Sequence, residues 1–102
     1  MHARVAWFDP NLGGRESGAP SGSEYRPNAL FLGLHSGAFE NADIEFGSVR
    51  FFFLTDDRSN VELNFWSPQD LTRFVFEGST FIVMEGATAV GFARMYEPDR
   101  KR

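Results

Sequence analysis

Residues 77–95, EGSTFIVMEGATAVGFARM, constrain the fold more than any other part of this 102-residue chain. An apolar run over residues 81–84 stops at Glu85-Gly86, and a second apolar segment occupies residues 89–95. Short apolar runs on both sides of a glycine-containing turn are typical of a β-hairpin. We therefore expect two antiparallel strands, at residues 80–84 and 89–96.

Similar signals recur along the rest of the chain. Residues 61–66 alternate between apolar and other side chains, which is the clearest period of two in the sequence. Further strands are expected at residues 5–8, 28–35, 49–54 and 73–77. No segment has a long 3.6-residue period, and only residues 67–71 are compatible with a helical turn. Six or seven short strands predict an all-β fold, either an antiparallel barrel or a sandwich.

One domain is expected over residues 1–97, followed by a disordered tail at residues 98–102. Residues 10–24 are rich in Gly, Ser and Pro and predict a long flexible loop, and residues 36–43 predict a connection. The chain holds twelve Phe residues, so the core is expected to consist largely of Phe rings. The expected core rings are Phe51 or Phe52, Phe65, Phe74 or Phe76, and Phe81.

The net charge of −4 argues against a protein that binds nucleic acid by bulk electrostatic attraction. The absence of cysteine excludes disulfide bonds and thiolate metal sites. The N-terminus lacks the apolar segment of a leader, and no apolar run approaches the roughly 20 residues that span a bilayer. A cytoplasmic protein without a membrane partner is expected.

No catalytic or cofactor-binding pattern stands out. The phosphate-binding loop motif is absent and the only lysine is Lys101, so this chain is not expected to bind a nucleotide by itself. His2 and His35 do not have the spacing of a metal site, and Asp56-Asp57 predicts a solvated turn. We expect a protein that is not an enzyme, with no metal and no cofactor.

Three short motifs, taken in order, resemble the C-terminal (third) domain of elongation factor Tu. They are Gly13-Gly14-Arg15, Tyr25-Arg26-Pro27-Asn28 and the hairpin around Glu85-Gly86. The resemblance covers roughly residues 4–96 and is weak between residues 34 and 76. It implies a six-stranded, or seven-stranded, antiparallel β-barrel as a standalone domain, without the GTPase domain of that family.

The resemblance also implies a binding surface for tRNA and for an exchange factor. The expected RNA- or partner-binding residues are Gly13, Gly14, Arg15, Tyr25, Arg26, Asn28, Glu85 and Gly86. Two arginines usual in the family are replaced here by Met84 and Thr88, which removes cations from the expected RNA-facing surface. We therefore expect a binding module for tRNA, other structured RNA or a translation-related protein. The alternative is a protein–protein adaptor that has lost RNA binding.

Overall fold

The structure is a computed structural model that describes residues 1–15, 19–34, 42–66 and 71–98. Seven strands account for most of this part of the chain. They are β1 (His2–Trp7), β2 (Glu24–Tyr25), β3 (Asn28–Leu34), β4 (Ala42–Phe53), β5 (Asn60–Phe65), β6 (Thr80–Glu85) and β7 (Thr88–Tyr96). Two short 3-10 turns, Pro10–Leu12 and Thr72–Phe74, lie between them.

Six of the strands form a closed antiparallel barrel in the order β4-β3-β6-β7-β1-β5, and β5 pairs again with β4. The twelve-residue strand β4 makes closure possible because its two halves have different neighbours. Its first half pairs with β3, whereas its second half pairs with β5 on one edge and with β2 on the other. The predicted all-β antiparallel barrel is confirmed, with β2 as an extra strand outside the six.

Aromatic rings fill the barrel, because alternate residues of each strand point inward. Phe31 is fully buried, and its ring centroid lies 5.1 Å from that of Phe74 and 5.3 Å from that of Phe81. The predicted core positions Phe74 and Phe81 are therefore confirmed, as is Phe51 from the pair Phe51 or Phe52. Phe65 packs against this core but is only partly buried.

The predicted strand at residues 73–77 is wrong. The Phe74 amide donates to the Leu71 carbonyl, which begins a 3-10 turn, and the Ser79 hydroxyl donates to the Phe74 carbonyl at 2.6 Å. These local bonds take the place of a strand ladder. Phe74 consequently points inward, whereas Phe76 is 54% exposed and is not a core residue.

Other boundaries also differ from the predicted ones. β1 spans His2–Trp7, whereas the predicted first strand covered residues 5–8. β4 begins at Ala42, well before the predicted residue 49, because Ile44 and Phe46 pair with Leu32 and Leu30 of β3. The strand β2 was not predicted, and it begins at the last residue of the loop expected over residues 10–24. Several predicted features lie outside the described residues: His35, the connection at residues 36–41, the helical turn at residues 67–70 and the tail at residues 99–102.

The predicted turn around Asp56-Asp57 is present and exposed. The Asp57 carboxylate accepts hydrogen bonds from the Thr55 hydroxyl at 2.7 Å and from the hydroxyl and amide of Ser59 at 2.6 and 2.9 Å. These donors favour the charged carboxylate and lower the pKa of Asp57 to about 2. Arg58 follows in the left-handed region, at φ 64°, and its carbonyl accepts a hydrogen bond from the Trp7 indole at 2.8 Å.

Candidate functional site

The Gly13-Gly14-Arg15 segment forms a compact turn at one end of the barrel. Gly13 has φ 94° at the end of the 3-10 turn, a conformation that favours glycine, and its amide donates to the Pro10 carbonyl. The Gly14 amide donates to the Asp9 carbonyl at 3.1 Å. A side chain on Gly14 would lie 2.2 Å from the Phe8 carbonyl oxygen. Both glycine amides are therefore engaged inside the turn, and the turn directs Arg15 toward the β6–β7 hairpin.

Arg15 meets Tyr25 and Glu85, and we call these three residues the rim cluster. The Arg15 Nε lies 2.6 Å from Glu85 Oε2, and the Tyr25 hydroxyl donates to the same oxygen. The Arg15 guanidinium carbon also lies 5.7 Å from the centre of the Tyr25 ring. The structure thus brings together three predicted site residues that are far apart in sequence.

The rim cluster is partly exposed to solvent. The side chains of Arg15 and Glu85 are 24% and 36% exposed. Burial raises the pKa of the Tyr25 hydroxyl, and its hydrogen bond to Glu85 and the charge of that carboxylate raise it further, although Arg15 opposes them. Tyr25 therefore remains a neutral hydrogen-bond donor throughout the neutral pH range.

Beneath the rim cluster, Tyr25 packs on core aromatic rings. Its ring centroid lies 5.7 Å from that of Trp7, 5.9 Å from that of Phe51 and 6.3 Å from that of Phe53. Gly91 lies opposite Trp7 and is closely packed, because a Cβ atom on it would lie 3.3 Å from the Trp7 ring. The position of the rim cluster is consequently fixed by the packing of the barrel itself.

The remaining predicted site residues lie near the rim cluster without joining it. Arg26 is exposed, and its Nε donates to Glu24 at 2.8 Å. The Glu24 Oε2 atom also lies 3.1 Å from Arg50 Nε. The Arg26 hydrogen bond is the main reason why the pKa of Glu24 is lowered.

Asn28 begins β3 with an exposed side chain and pairs with Met84, the residue before Glu85. Gly86 has φ 59° and opens the two-residue turn between β6 and β7, a position at which such hairpins favour glycine. Met84, at a position where an arginine is usual in the family of the resemblance, is buried but does not belong to the core cluster that fills the barrel. Thr88, at the other such position, is exposed.

A second surface was not predicted from the sequence. Four apolar side chains on neighbouring strands share one row of the outer face, which we call the outer stripe: Phe46 on β4, Leu30 on β3, Ile82 on β6 and Phe92 on β7. Phe46 is 50% and Phe92 is 43% exposed. Leu32 and Ile44, also exposed, extend the apolar surface beyond the β3–β4 end of the stripe.

A shallow groove of about 160 Å³ lies along the outer stripe and is lined by Leu30, Leu32, Thr80, Phe81, Ile82 and Phe92. The sequence contained one signal of this surface. β3 and β6 have apolar residues at consecutive positions, so both of their faces are apolar, whereas a barrel strand with a solvated outer face alternates.

Over the described ranges, no group of three or more His, Asp or Glu side chains is placed to hold a metal ion. The same part of the chain contains no helix that is long and apolar enough to cross a membrane. The established fold is a closed six-stranded antiparallel barrel with one extra strand. In comparisons with known proteins, no family model, no curated protein and no solved structure matches this chain.

Proposed function

We propose that this chain is a non-enzymatic binding module whose ligand is another protein, bound on the outer stripe. The observation that carries the proposal is the row of apolar side chains across four strands, with Phe46 and Phe92 about half exposed. Contiguous exposed apolar surface on a soluble protein marks interaction sites. A row across four strands is also rigid, since each of its residues belongs to the barrel ladder.

Covering this surface would contribute a favourable free energy to binding, which follows from its exposed area. A Phe side chain buries about 150–250 Å² when fully enclosed, so covering the exposed halves of Phe46 and Phe92 removes roughly 150–250 Å² in total. At about 25 cal/mol/Å² this contributes about 4–6 kcal/mol before the costs of association. The neighbouring Leu32 and Ile44 add to this contribution.

Structured RNA is the competing ligand, and the observation that favours it is the exposed Arg26 beside the partly exposed Arg15. The charges around the rim favour a protein instead. Arg15 is paired with Glu85, and Arg26 and Arg50 both lie against Glu24. A phosphate would have to compete with these carboxylates, in a chain whose net charge is −4.

We also propose that the barrel is of the elongation factor Tu C-terminal type. Its partner would then be a translation-related protein in the cytoplasm. The support for this assignment is the meeting of the Gly13-Gly14-Arg15, Tyr25-Arg26 and Glu85-Gly86 segments at one end of the barrel. The proposal that the chain is not an enzyme is supported by the rim cluster, in which Glu85 serves as the shared acceptor of Arg15 and Tyr25.

The test is a capture experiment from a ribonuclease-treated lysate of the source cells, in which the parent is compared with the double variant F46S/F92S. Partner proteins retained by the parent are expected to be lost from F46S/F92S. They are expected to remain on F76S, which removes an equally exposed Phe elsewhere. Matching melting curves show that the variants remain folded. Equal capture by F46S/F92S and the parent would contradict the proposal.

The RNA alternative is measured separately, by titrating labelled tRNA at two salt concentrations with R15A as the control. If RNA is the ligand, R15A abolishes binding, and the salt dependence is shallower than that of a protein neutralising about six to ten phosphates. Binding of this kind would replace the protein proposal.

A further inference from the structure

Two arginines lie beside the outer stripe without a carboxylate partner among the described residues. Arg4 of β1 and Arg94 of β7 are directly opposite each other, and both side chains are exposed. Like charges at such a cross-strand position repel each other. Neither makes an ion pair with any other described residue, although the Arg4 guanidinium carbon lies 5.2 Å from the centre of the Tyr96 ring.

The arginine pair is continuous with the outer stripe. Arg94 is two residues from Phe92 along β7 and therefore lies on the same outer face. Thr80 is the partner of Arg94 on β6 and lines the groove beside the stripe. A ligand seated on Ile82 and Phe92 therefore has cationic groups along one flank. This local charge is opposite in sign to the net charge of the chain, −4.

The spacing of the outer stripe matches one kind of secondary structure. The backbones of neighbouring strands are about 4.7–4.9 Å apart, and side chains on the convex outer face of a closed barrel diverge from there, so the apolar groups of the stripe recur at that interval or slightly more. Side chains on one face of an α-helix recur about every 5.4 Å, once per turn. Alternate side chains of an extended strand recur about every 6.6–6.8 Å, and its backbone groups would find no partners on the barrel's outer face.

Building on the proposed protein-binding function, we infer that the outer stripe receives an acidic amphipathic helix of a partner protein, laid across the strands. Apolar residues of the helix at positions i, i+3 or i+4, and i+7 contact Phe92, Ile82 and Leu30 in turn. Carboxylates on one flank of the helix pair with Arg94 and Arg4. This arrangement supplies the anions that the opposed arginines lack and covers the exposed rings at the same time.

The probe is a fluorescein-labelled synthetic helix of about 18 residues, with Leu at the repeating positions and Glu on both flanks. Its matched control carries Lys in place of every Glu. Fluorescence anisotropy with the full chain measures both affinities. We expect the Glu peptide to bind at least about tenfold more tightly than the Lys peptide, which corresponds to the attraction of roughly two charge pairs.

Variants of the chain locate the site. F92S is expected to weaken binding of the Glu peptide by about tenfold, whereas F76S, an equally exposed Phe elsewhere, leaves the affinity unchanged. R94E removes one cation and pairs with Arg4, so it is expected to abolish the preference for the Glu peptide. R26E makes the same change of charge at the rim and is expected to keep that preference.

The results separate this inference from the proposed function. Preference for the Lys peptide, or a Glu-peptide affinity that is the same in F92S as in the parent, would overturn the acidic-helix inference. If capture from lysate still depends on Phe46 and Phe92 while neither peptide binds, only the helix is refuted and the protein-binding function stands. A concentration-dependent dimer that F92S abolishes would identify a second copy of this chain as the occupant and would also overturn the inference.

Discussion

Replacing Tyr25 with Phe removes one hydroxyl from the rim cluster and keeps the ring that packs on Trp7, Phe51 and Phe53. In the parent that hydroxyl donates to Glu85 Oε2, the oxygen that also accepts from Arg15. The variant therefore tests a single hydrogen bond that connects β2 with the β6–β7 hairpin. If the rim cluster is a structural tie, Y25F must lose stability.

The magnitude follows from the kind of bond and its exposure. A hydrogen bond to a charged group contributes about 1.5–3 kcal/mol, and solvent screening of the partly exposed Glu85 reduces this to about 1–2 kcal/mol. For a domain of about 100 residues, 1 kcal/mol changes Tm by about 4–8 °C. Y25F is therefore expected to melt roughly 4–16 °C below the parent at pH 7.

The difference between the two proteins must also depend on pH. The pKa of Tyr25 is raised in the folded state, so above about pH 10 the unfolded chain releases this proton first. The stabilisation is complete below pH 10 and is lost as pH rises toward the folded-state pKa. Because Phe has no proton to release, the gap in stability between parent and Y25F is expected to narrow with rising pH.

Urea denaturation at several pH values between 7 and 11, followed by circular dichroism, measures this gap. The matched control is Y96F, in which the lost hydroxyl contacts the neutral Asn60 side chain at 3.1 Å. Its expected cost is smaller, about 0.5–1.5 kcal/mol. A gap of zero at pH 7, or one that is constant up to pH 11, would refute the described role of the Tyr25–Glu85 bond.

Three further predictions concern the core, one close approach and one turn. In urea denaturation, F31A should lose about 3–5 kcal/mol of unfolding free energy because Phe31 is fully buried among rings, whereas F76A should stay within about 0.5 kcal/mol of the parent. Equal losses in the two variants would contradict the described core. G91A should lose roughly 1–3 kcal/mol of unfolding free energy, since the new methyl would lie 3.1 Å from the Ala6 carbonyl oxygen and 3.3 Å from the Trp7 ring. Stability and a near-ultraviolet circular dichroism spectrum that both match the parent would contradict that packing. Because the pKa of Asp57 is lowered, the stabilisation that its charged carboxylate gives the fold is present above the ordinary value of 3.8 and is lost as pH falls toward about 2. The parent should therefore lose stability over this interval relative to D57N. If the stabilities of the two proteins fall in parallel during acid titration, the described Asp57 hydrogen bonds are contradicted.

The sequence predicted those parts of the fold whose signals are local. The β6–β7 hairpin was predictable because both strands and the Glu85-Gly86 turn are consecutive in the chain. β2 was not, because two residues carry no periodic signal and the strand exists only through its pairing with Phe51 and Phe52 of β4, far along the chain. The predicted strand at residues 73–77 was wrong because its alternating Phe residues resemble a strand, whereas local hydrogen bonds to Phe74 decide the structure.

The two candidate surfaces also differ in how far the sequence could predict them. The residues of the rim cluster were identified through the order of three short motifs, although the Arg15–Glu85 contact itself depends on the folded barrel. The outer stripe was not foreseen, because alternation indicates which residues share a face but not which face is inside. Leu30 looks like a core residue in the sequence, yet its neighbour Phe31 occupies the interior, and Phe46, which pairs with Leu30, is half exposed.

Barrel closure through β1 has a consequence for the rate of folding. β1 pairs with β7 from His2 opposite Tyr96 and with β5 from His2 opposite Glu62, so these contacts join segments that are distant along the chain. Consecutive strands such as β4 and β5 or β6 and β7 can pair early, whereas the barrel closes only when β1 pairs with both β5 and β7. The entropy of closing such long loops is lost before the contacts form, and domains dominated by pairing of this kind fold in about milliseconds to seconds. Until β1 is seated, the facing edges of β5 and β7 remain open to pairing with other chains, so the last step of folding is also the one most exposed to aggregation.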